Sequence, residues 1–426
     1  MRFSENKKLN DYVIRNNKYN FTCNVIDGAA FSLGMIFIAF NTIFPVFIKK
    51  VGGTSFLISL IPFITIACTS VPQLFAAHLT KNLRRKKPIN IIIGLFQRIP
   101  WLVVGVSCII FGNSMPSVLM VIVILMYIIY SLATGVSGPV WFDMISKITP
   151  IHIRGRLLST RSVIGQLLGI IGSVFAGRII KNISYPYNYS ILFFIASFFL
   201  FVSFASFCSL REPEDDIKKD NDNFYSFIKK VPDVLRRNRD FRYFVISRSF
   251  FELGVSMIAF YSVFGIKKFN LSDSYAGIFT TVTAVAYVLG NFILGFLGDK
   301  KGHKINILIG ELVTMVAAIM AVIFSNIYLF YAVFVFASIG QSARDISTSN
   351  ITVEFCRPYE RVLYIAISSV VMIPISIIVL IMGSLADVFG YEYLFIITAI
   401  SSAISLIIMY FKVKDPRHNK QGAINR

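Results

Sequence analysis

The ten-residue stretch Phe31-Ser-Leu-Gly-Met-Ile-Phe-Ile-Ala-Phe40 occurs a second time, as Phe251-Glu-Leu-Gly-Val-Ser-Met-Ile-Ala-Phe260. Six of the ten positions are identical at an offset of 220 residues. A second pair of segments, Ile89-Asn-Ile-Ile-Ile-Gly94 and Ile305-Asn-Ile-Leu-Ile-Gly310, shares five of six residues at an offset of 216. Because both pairs keep their order and nearly their spacing, we infer that the chain consists of two related halves.

The composition is that of a membrane protein, since 55% of the 426 residues are apolar and only 15% are charged. Twelve mostly apolar runs are long enough to cross a hydrocarbon core of about 30 Å. They lie at 20–48, 54–79, 88–112, 116–147, 157–181, 187–210, 241–266, 273–298, 304–325, 327–356, 361–388 and 391–413. Lipid offers the backbone no hydrogen-bond partners, so each run is predicted to be a helix. We therefore predict an all-α integral membrane protein with twelve transmembrane helices in two pseudo-symmetric six-helix bundles.

The predicted domains follow from the positions of these spans. Each bundle takes six spans, and the polar residues between the bundles are too few for a further domain. The boundaries are 1–19 for an N-terminal tail, 20–210 for the first bundle, 211–240 for a linker, 241–413 for the second bundle and 414–426 for a C-terminal tail.

The net charge of +20 is distributed as in a membrane protein. If both termini are cytoplasmic, the inner segments hold 32 of the 42 Lys and Arg residues, and the outer loops hold six. This bias is the positive-inside pattern. We predict a multi-pass protein of the plasma membrane with both termini and the linker in the cytoplasm. A nucleic-acid partner is excluded, because no soluble segment has a basic face interleaved with aromatic residues.

The stretch between the eighth and ninth spans, Gly295-Phe-Leu-Gly-Asp-Lys-Lys-Gly-His-Lys304, matches the pattern G-x-L-x-D-[RK]-x-G-x-[KR] at every defined position. Together with twelve spans in two halves, this loop resembles the signature of the major facilitator superfamily, and the resemblance covers the whole chain. The equivalent first-half segment has Leu83 in place of the acid. The resemblance implies a transporter that moves a small molecule by alternating access.

The resemblance also implies that the signature loop acts in gating on the inner side. The loop residues expected to do so are Gly295, Asp299, Lys300, Gly302 and Lys304. The fifth span starts on the same side, where a helix N-terminus carries positive partial charge. The candidate partners near this helix start are Arg154, Arg156 and Arg161. A bond from Asp299 to the helix start or to one of these arginines would hold the inner side shut. The alternative is that Asp299 only caps its own turn.

Acidic residues inside the spans are the candidates for proton coupling, because each is costly in lipid and normally faces a partner or a water-filled cavity. They are Asp27, Glu252 and Asp345. Desolvation disfavours the charged form of a buried carboxyl, so Asp27 could load and release protons. Proton-coupled members of the superfamily that the chain resembles often carry an acid in the first span. The alternative reading makes Asp27 an interfacial residue near the start of its helix.

The candidates for the substrate cavity are polar, basic or aromatic residues within the spans. They are Arg98, Tyr130, Trp141, Arg248, Gln341 and Arg344. Arg248 and Glu252 stand four residues apart and can pair on one helix face, either as part of a site or as a structural pair. Arg344 and Asp345 are adjacent and point about 100° apart, which predicts different partners for them.

We predict a secondary transporter that exports an amphipathic compound, driven by the proton gradient. Glycines at 165, 169, 172 and 177 partly resemble the fifth-helix motif of drug/proton antiporters, although Ile170 replaces the expected Pro. The alternatives are uptake of a sugar, nucleoside or peptide-like nutrient, and a non-transporting membrane sensor. We expect the partners to be the small-molecule substrate, H⁺ and the lipid bilayer, with no obligatory protein partner. Since P-loop, metal and nucleophile patterns are missing from the sequence, we expect no enzyme activity, no cofactor and no metal.

The charge bias predicts which loops a membrane-impermeant thiol reagent can reach. In a background without the five native cysteines, Lys50→Cys should be labelled from outside intact cells and Lys300→Cys should be labelled only after permeabilisation. The reverse labelling pattern would overturn the orientation.

The gating hypothesis predicts that Asp299→Asn shifts the population towards the inward-open form, because the amide keeps the side chain's shape but loses its charge. The measurement is the labelling rate of single cysteines in the cavity from each side of the membrane, with Lys301→Gln as a control in the same loop. An unchanged ratio of inner to outer labelling would reduce Asp299 to a turn cap.

Overall fold

The computed structural model describes residues 2–80, 83–214, 231–356 and 360–416, which are helical almost throughout and contain no strand. Residues 215–230 of the predicted linker and 417–426 of the predicted C-terminal tail lie outside the described residues. The described helices are α1 Arg2–Ile36, α2 Ile43–Lys50, α3 Ser55–Thr80, α4 Lys87–Phe111, α5 Pro116–Ile148, α6 Ile151–Asn182, α7 Tyr187–Cys208, α8 Val231–Arg237, α9 Arg239–Ser256, α10 Ile258–Lys268, α11 Tyr275–Lys301, α12 His303–Ile323, α13 Ile327–Glu354, α14 Arg361–Val370, α15 Met372–Phe389 and α16 Tyr391–Lys412.

The all-helical membrane fold predicted from the sequence is confirmed. Among the described residues, eleven helical segments are long and apolar enough to cross a membrane. The predicted span at 20–48 is divided between the end of α1 and the short helix α2. Ala39, which lies in the break, has a positive φ of 36°. The break leaves α2 with only eight residues, too few to cross a membrane by itself.

The duplication is visible in where the helices break. Helix α1 ends at Ile36 and α9 ends at Ser256, which are equivalent positions at the 220-residue offset of the repeated phrase. In both halves a short helix then continues the run, α2 after a six-residue gap and α10 after Met257 alone. The two copies of the phrase therefore share a local backbone feature as well as side chains.

The chain packs as two compact units. One consists of Met1–Ala39 and Cys68–Asn221, and the other of Phe40–Ala67 and Asp222–Arg426. In the first unit α1 packs on α6 and α7, and α4 packs on α5 and α7. In the second unit α9 and α12 both pack on α16, and α13 packs on α11 and α12. The bundle boundaries at 20–210 and 241–413 stay a prediction.

The signature loop depends on one glycine conformation. Helix α11 ends at Lys301 and α12 begins at His303, so Gly302 alone joins them. Its φ is +94°, a conformation that residues with a Cβ rarely adopt. This turn reverses the chain within a single residue and explains why the pattern requires glycine there.

Large apolar side chains lie on the outside of the helices as well as in the core. Phe292 is 80% exposed and Tyr328 is 78% exposed, although both lie within long apolar helices. A soluble protein rarely exposes such contiguous apolar surface. Lipid covers these faces in a multi-pass membrane protein, so the exposed side chains agree with the fold.

Candidate functional site

Asp27 of α1 lies at the centre of a polar cluster inside the first unit. Its Oδ2 atom accepts a hydrogen bond from Nη1 of Arg161 on α6 at 2.8 Å, and its Oδ1 atom accepts one from Ser203 Oγ on α7 at 2.6 Å. The side chain is only 3% exposed. Asp27 is therefore a carboxyl side chain that is buried within the protein beside a basic partner.

The arginine that pairs with Asp27 is held on several sides. Besides Asp27, its Nη1 atom donates to Oδ1 of Asn24 at 2.7 Å, and its guanidinium lies 4.6 Å from the centre of the Trp141 ring. Gly28 permits this approach, because a Cβ there would lie 1.9 Å from an Arg161 side-chain carbon. Three contacts with helices α1 and α5 thus fix the position of Arg161.

Arg98 of α4 joins the same cluster through a serine. Its Nη2 atom donates to Ser203 Oγ at 3.3 Å, and its Nε atom donates to the carbonyl of Leu200 at 3.1 Å. The guanidinium also lies 5.0 Å from the centre of the Phe204 ring. Ser203 therefore bridges Arg98 to Asp27, and two arginines share the surroundings of one carboxylate.

A cavity of about 160 Å³ opens beside this cluster within the first unit. Its wall contains the three charged residues already described. The other lining residues used below are Phe31, Asn90, Gln97, Trp141 and Phe207. The wall thus combines aromatic faces with amides and charges. Tyr130 lies apart from this lining, with its ring 5.2 Å from that of Trp101 and its hydroxyl 3.7 Å from the Met35 sulfur.

The second unit holds a different charged cluster. Nη1 of Arg344 on α13 donates to Oε1 of Glu252 on α9 at 2.7 Å, and Nη2 donates to Oδ1 of Asp345 at 2.9 Å. The other oxygen of Asp345 accepts a bond from the Tyr287 hydroxyl on α11 at 2.9 Å. One guanidinium therefore serves two carboxylates in this unit.

One pairing that the sequence allowed is not formed. Arg248 does not pair with Glu252; its Nη1 atom donates to the carbonyl of Ser368 on α14 at 2.7 Å and to the Ser368 hydroxyl. Glu252 instead faces Arg344. Helix spacing allowed the local pair, but each side chain bonds to a residue of another helix. Arg248 donates to Ser368, and Glu252 accepts from Arg344.

Arg344 and Asp345 have the separate partners Glu252 and Tyr287, and these neighbours also form an ion pair with each other, which the sequence did not predict. The Arg side chain is long enough to fold back along the helix surface, so the 100° between the two Cα–Cβ directions does not keep them apart. Gln341, one turn earlier, accepts a hydrogen bond from Asn41 Nδ2 at 3.0 Å.

The signature loop has its own local contacts. Lys300 lies 4.4 Å from the centre of the Phe296 ring, and Lys304 donates from Nζ to the carbonyl of Val413 at 2.7 Å. Gly295 faces open space. In the first unit, Arg154 donates to the carbonyl of Ser146 and Arg156 is exposed. The gating role of Asp299 and these arginines stays a prediction.

Sequence reasoning missed Glu311, a wholly buried acid on α12. Its Oε1 atom contacts the hydroxyls of Ser247 on α9 at 2.9 Å and Ser405 on α16 at 2.5 Å. A signal was present, since Glu311 is the only acid between residues 304 and 325, and an acid within a span is a candidate for function. Among the described residues, no group of three or more His, Cys, Asp or Glu side chains could hold a metal ion.

Two double-mutant cycles can distinguish Arg344, the observed partner of Glu252, from Arg248, the partner that helix spacing allowed. The Glu252→Gln and Arg344→Met pair should show a coupling energy of about 0.5–3 kcal/mol, because the two groups are in contact. The Glu252→Gln and Arg248→Met pair should show a markedly smaller one. The measurement is thermal unfolding of the purified protein in detergent. Equal coupling in the two cycles would contradict the pairing.

Comparison with solved structures gives the same fold over nearly the whole chain. A variant of the nucleoside transporter NupG superposes with a TM-score of 0.71 at 11% identity, covering 93% of this chain and 100% of that chain. A POT family transporter in complex with 5-aminolevulinic acid gives 0.71 at 10% identity, with 92% and 96% covered. The D-xylose–proton symporter gives 0.68 at 13% identity, with 93% and 98% covered. These likenesses show the fold alone.

The search of curated proteins gives no match. The family comparison is decisive, because the sequence profile described as Major Facilitator Superfamily matches residues 28–266 and again residues 244–426. The profile thus matches once in each half, as the internal duplication requires. The chain belongs to the Major Facilitator Superfamily.

Proposed function

We propose that the protein is a secondary active transporter of the plasma membrane that exports an amphipathic small molecule in exchange for protons. The observation that carries this proposal is the pairing of carboxylates within the spans with arginines in both units. Asp27 bonds to Arg161, and Arg344 bonds to Glu252 and Asp345. Such ionisable groups within spans normally mark a transport or proton pathway.

Protonation of Asp27 would change the cavity wall directly. The ionised carboxylate holds Arg161 through a charge-assisted hydrogen bond, and a protonated carboxyl holds it less strongly. Arg161 lines the cavity and lies against Trp141. A proton on Asp27 would therefore free a guanidinium next to the substrate space, which gives proton binding a route to substrate binding or release.

The cluster in the second unit is suited to a related exchange. Glu252 and Asp345 compete for Arg344, so protonating one carboxylate leaves the guanidinium with the other. A proton could thereby move Arg344 between helix α9 and its own helix without leaving a buried cation unpaired. Glu252 and Asp345 remain the candidates for coupling in this unit.

The cavity of the first unit supports an amphipathic substrate. Phe31, Trp141 and Phe207 supply apolar and aromatic surface, and Arg98 and Gln97 supply hydrogen-bond donors. A substrate with an apolar body and a polar group would satisfy both parts of this wall.

A second candidate function is uptake of a polar nutrient, and one observation favours it. Both polar side-chain atoms of Asn90, which lines the cavity, are buried without a hydrogen-bond partner. A buried amide normally has partners, so a substrate with its own donor and acceptor would suit this position. The solved structures with this fold include a nucleoside transporter and a D-xylose–proton symporter, and nucleosides and xylose are polar compounds.

The direction and the driving force are tested together in cells. We expect cells that make the protein to accumulate less of an exported compound than cells that lack it, with the difference lost when the proton gradient is collapsed. Greater accumulation in the producing cells would favour uptake. A difference that persists without the gradient would contradict proton coupling.

Asp27→Asn tests the proton-carrying role of this residue. We expect gradient-driven transport to be lost while substrate exchange persists, because the neutral amide mimics only the protonated form. Asp143→Asn is a matched control, since this aspartate pairs with Lys86 and its side chain is 61% exposed. Loss of exchange as well would indicate a binding role. Full gradient-driven transport in Asp27→Asn would show that the assignment is wrong.

A further inference from the structure

Glu311 differs from the other buried acids because no cation accompanies it. Asp27 and Glu252 each bond to an arginine, Glu212 bonds to Lys147, and the more exposed Asp345 also bonds to an arginine. Glu311 is wholly buried, and its bonding partners in the described part of the chain are two serine hydroxyls, both on its Oε1 atom. Its Oε2 atom is buried with no hydrogen-bond partner. An ionised carboxylate in these surroundings would be an uncompensated buried charge, which costs far more than a neutral carboxyl.

The charged and titratable groups on the packed helices do not neutralise Glu311. Helices α9, α11, α13 and α16 pack against α12. On α9, α11 and α13, the titratable groups at or near the charged cluster of the second unit are Arg248, Glu252, Tyr287, Arg344 and Asp345. Helix α16 carries its charges at its ends, at Glu392 and Lys412. Arg248 is bonded to Ser368, and the other four of the cluster are bonded to one another. None of the described ion pairs includes Glu311.

The contacts around Glu311 outnumber the hydrogens of the two serines, since Ser247 Oγ also lies 3.0 Å from Ser405 Oγ and 3.2 Å from the Ser405 carbonyl oxygen. Ser405 Oγ lies 2.5 Å from Glu311 Oε1 and 2.7 Å from the carbonyl oxygen of Ser247. A hydroxyl has a single hydrogen, and a carbonyl oxygen has none to donate. The Ser405 hydroxyl can donate to only one of these oxygens at a time, and when it donates to the Ser247 carbonyl, the contact at 2.5 Å needs a hydrogen on the carboxyl. Two oxygens at that distance without a hydrogen between them would repel each other.

A protonated Glu311 completes a closed chain of hydrogen bonds. The Ser247 hydroxyl donates to Glu311 Oε1 across 2.9 Å. The Oε1 hydroxyl donates to Ser405 Oγ, and the Ser405 hydroxyl donates to the Ser247 carbonyl. Every hydrogen then has one acceptor, and bonds in such a chain strengthen one another. The unpartnered Oε2 atom becomes a neutral carbonyl oxygen, which is the cheaper form to bury.

We propose that Glu311, Ser247 and Ser405 form a proton-binding site between helices α9, α12 and α16, and that Glu311 holds its proton in this structure. Release breaks the Glu311 O–H bond and transfers the proton to water that reaches the site when the helices separate. The carboxylate keeps the electron pair, and the Ser405 hydroxyl turns from the Ser247 carbonyl to donate to it. That this proton is one of the protons coupled to transport rests on the proposed function.

Infrared difference spectroscopy of the full-length purified protein tests the site without a substrate. At neutral pH we expect a carbonyl-stretching band of a protonated carboxyl that shifts on exchange into D₂O. Glu311→Gln should remove this band, since the amide can replace the carboxyl in the same hydrogen bonds without carrying an acid proton. Asp27→Asn is the matched control and should keep the band, because Asp27 lies in the other unit and bonds to Arg161. A spectrum of the Glu311→Gln protein that keeps the band would overturn the proposal.

Two further measurements test the site if Glu311→Gln does not fold, or if the site binds an alkali-metal ion instead of a proton. If Glu311→Gln does not fold, Ser405→Ala removes the acceptor of the carboxyl proton and should move the band to higher frequency. A band that does not move would contradict the site. Adding Na⁺ at constant pH and ionic strength should leave the band unchanged, and its loss would identify an alkali-metal site instead. Because none of these readouts needs transport, failure of the proton site and failure of the transport function can be told apart.

Discussion

A charge inside a bilayer has no water to stabilise it, and this constraint decides how the polar interior of each unit is built. Asp27 illustrates it most directly. Its two oxygens are satisfied by an arginine and a serine, each from a different helix. Because a missing partner would leave a buried charge, α1, α6 and α7 must meet at this one point. The packing of α1 on α6 and α7 and the polar cluster around Asp27 therefore both follow from the need to pair this buried side chain.

The same constraint makes each cluster suited to a proton. An arginine that leaves a buried carboxylate strands a charge unless the carboxylate gains a proton at the same time. Under the proposed function, movement of Arg161 or Arg344 is tied to the protonation of Asp27, Glu252 or Asp345. The arginine that moves and the carboxylate that gains the proton belong to one hydrogen-bonded pair, so this coupling needs no contact between distant sites.

The sequence predicted most of what the backbone does and few of the pairings inside it. The repeat, the apolar runs and Gly302 follow from local patterns, and local patterns also placed Asp27, Glu252 and Asp345 within spans. The partners of these acids depend on helix packing. Arg161 lies 134 residues from Asp27 and Arg344 lies 92 residues from Glu252, so spacing along one helix favoured Arg248 instead. The break between α1 and α2 was missed because an apolar run does not show where its helix is interrupted.

The duplication explains why Glu311 must be neutral where Asp27 can be charged. At the repeat offsets, Asp27 corresponds to Ser247, and Arg98 corresponds to Thr314. The second half thus has neither an acid at the first of these positions nor an arginine at the second. Its acid stands instead on the third helix, at Glu311, and still bonds to a serine of the sixth helix, as Asp27 does. An acid kept beside a serine without its arginine can remain buried only with a proton, so divergence between the halves has left one paired carboxylate and one protonated carboxyl in equivalent surroundings.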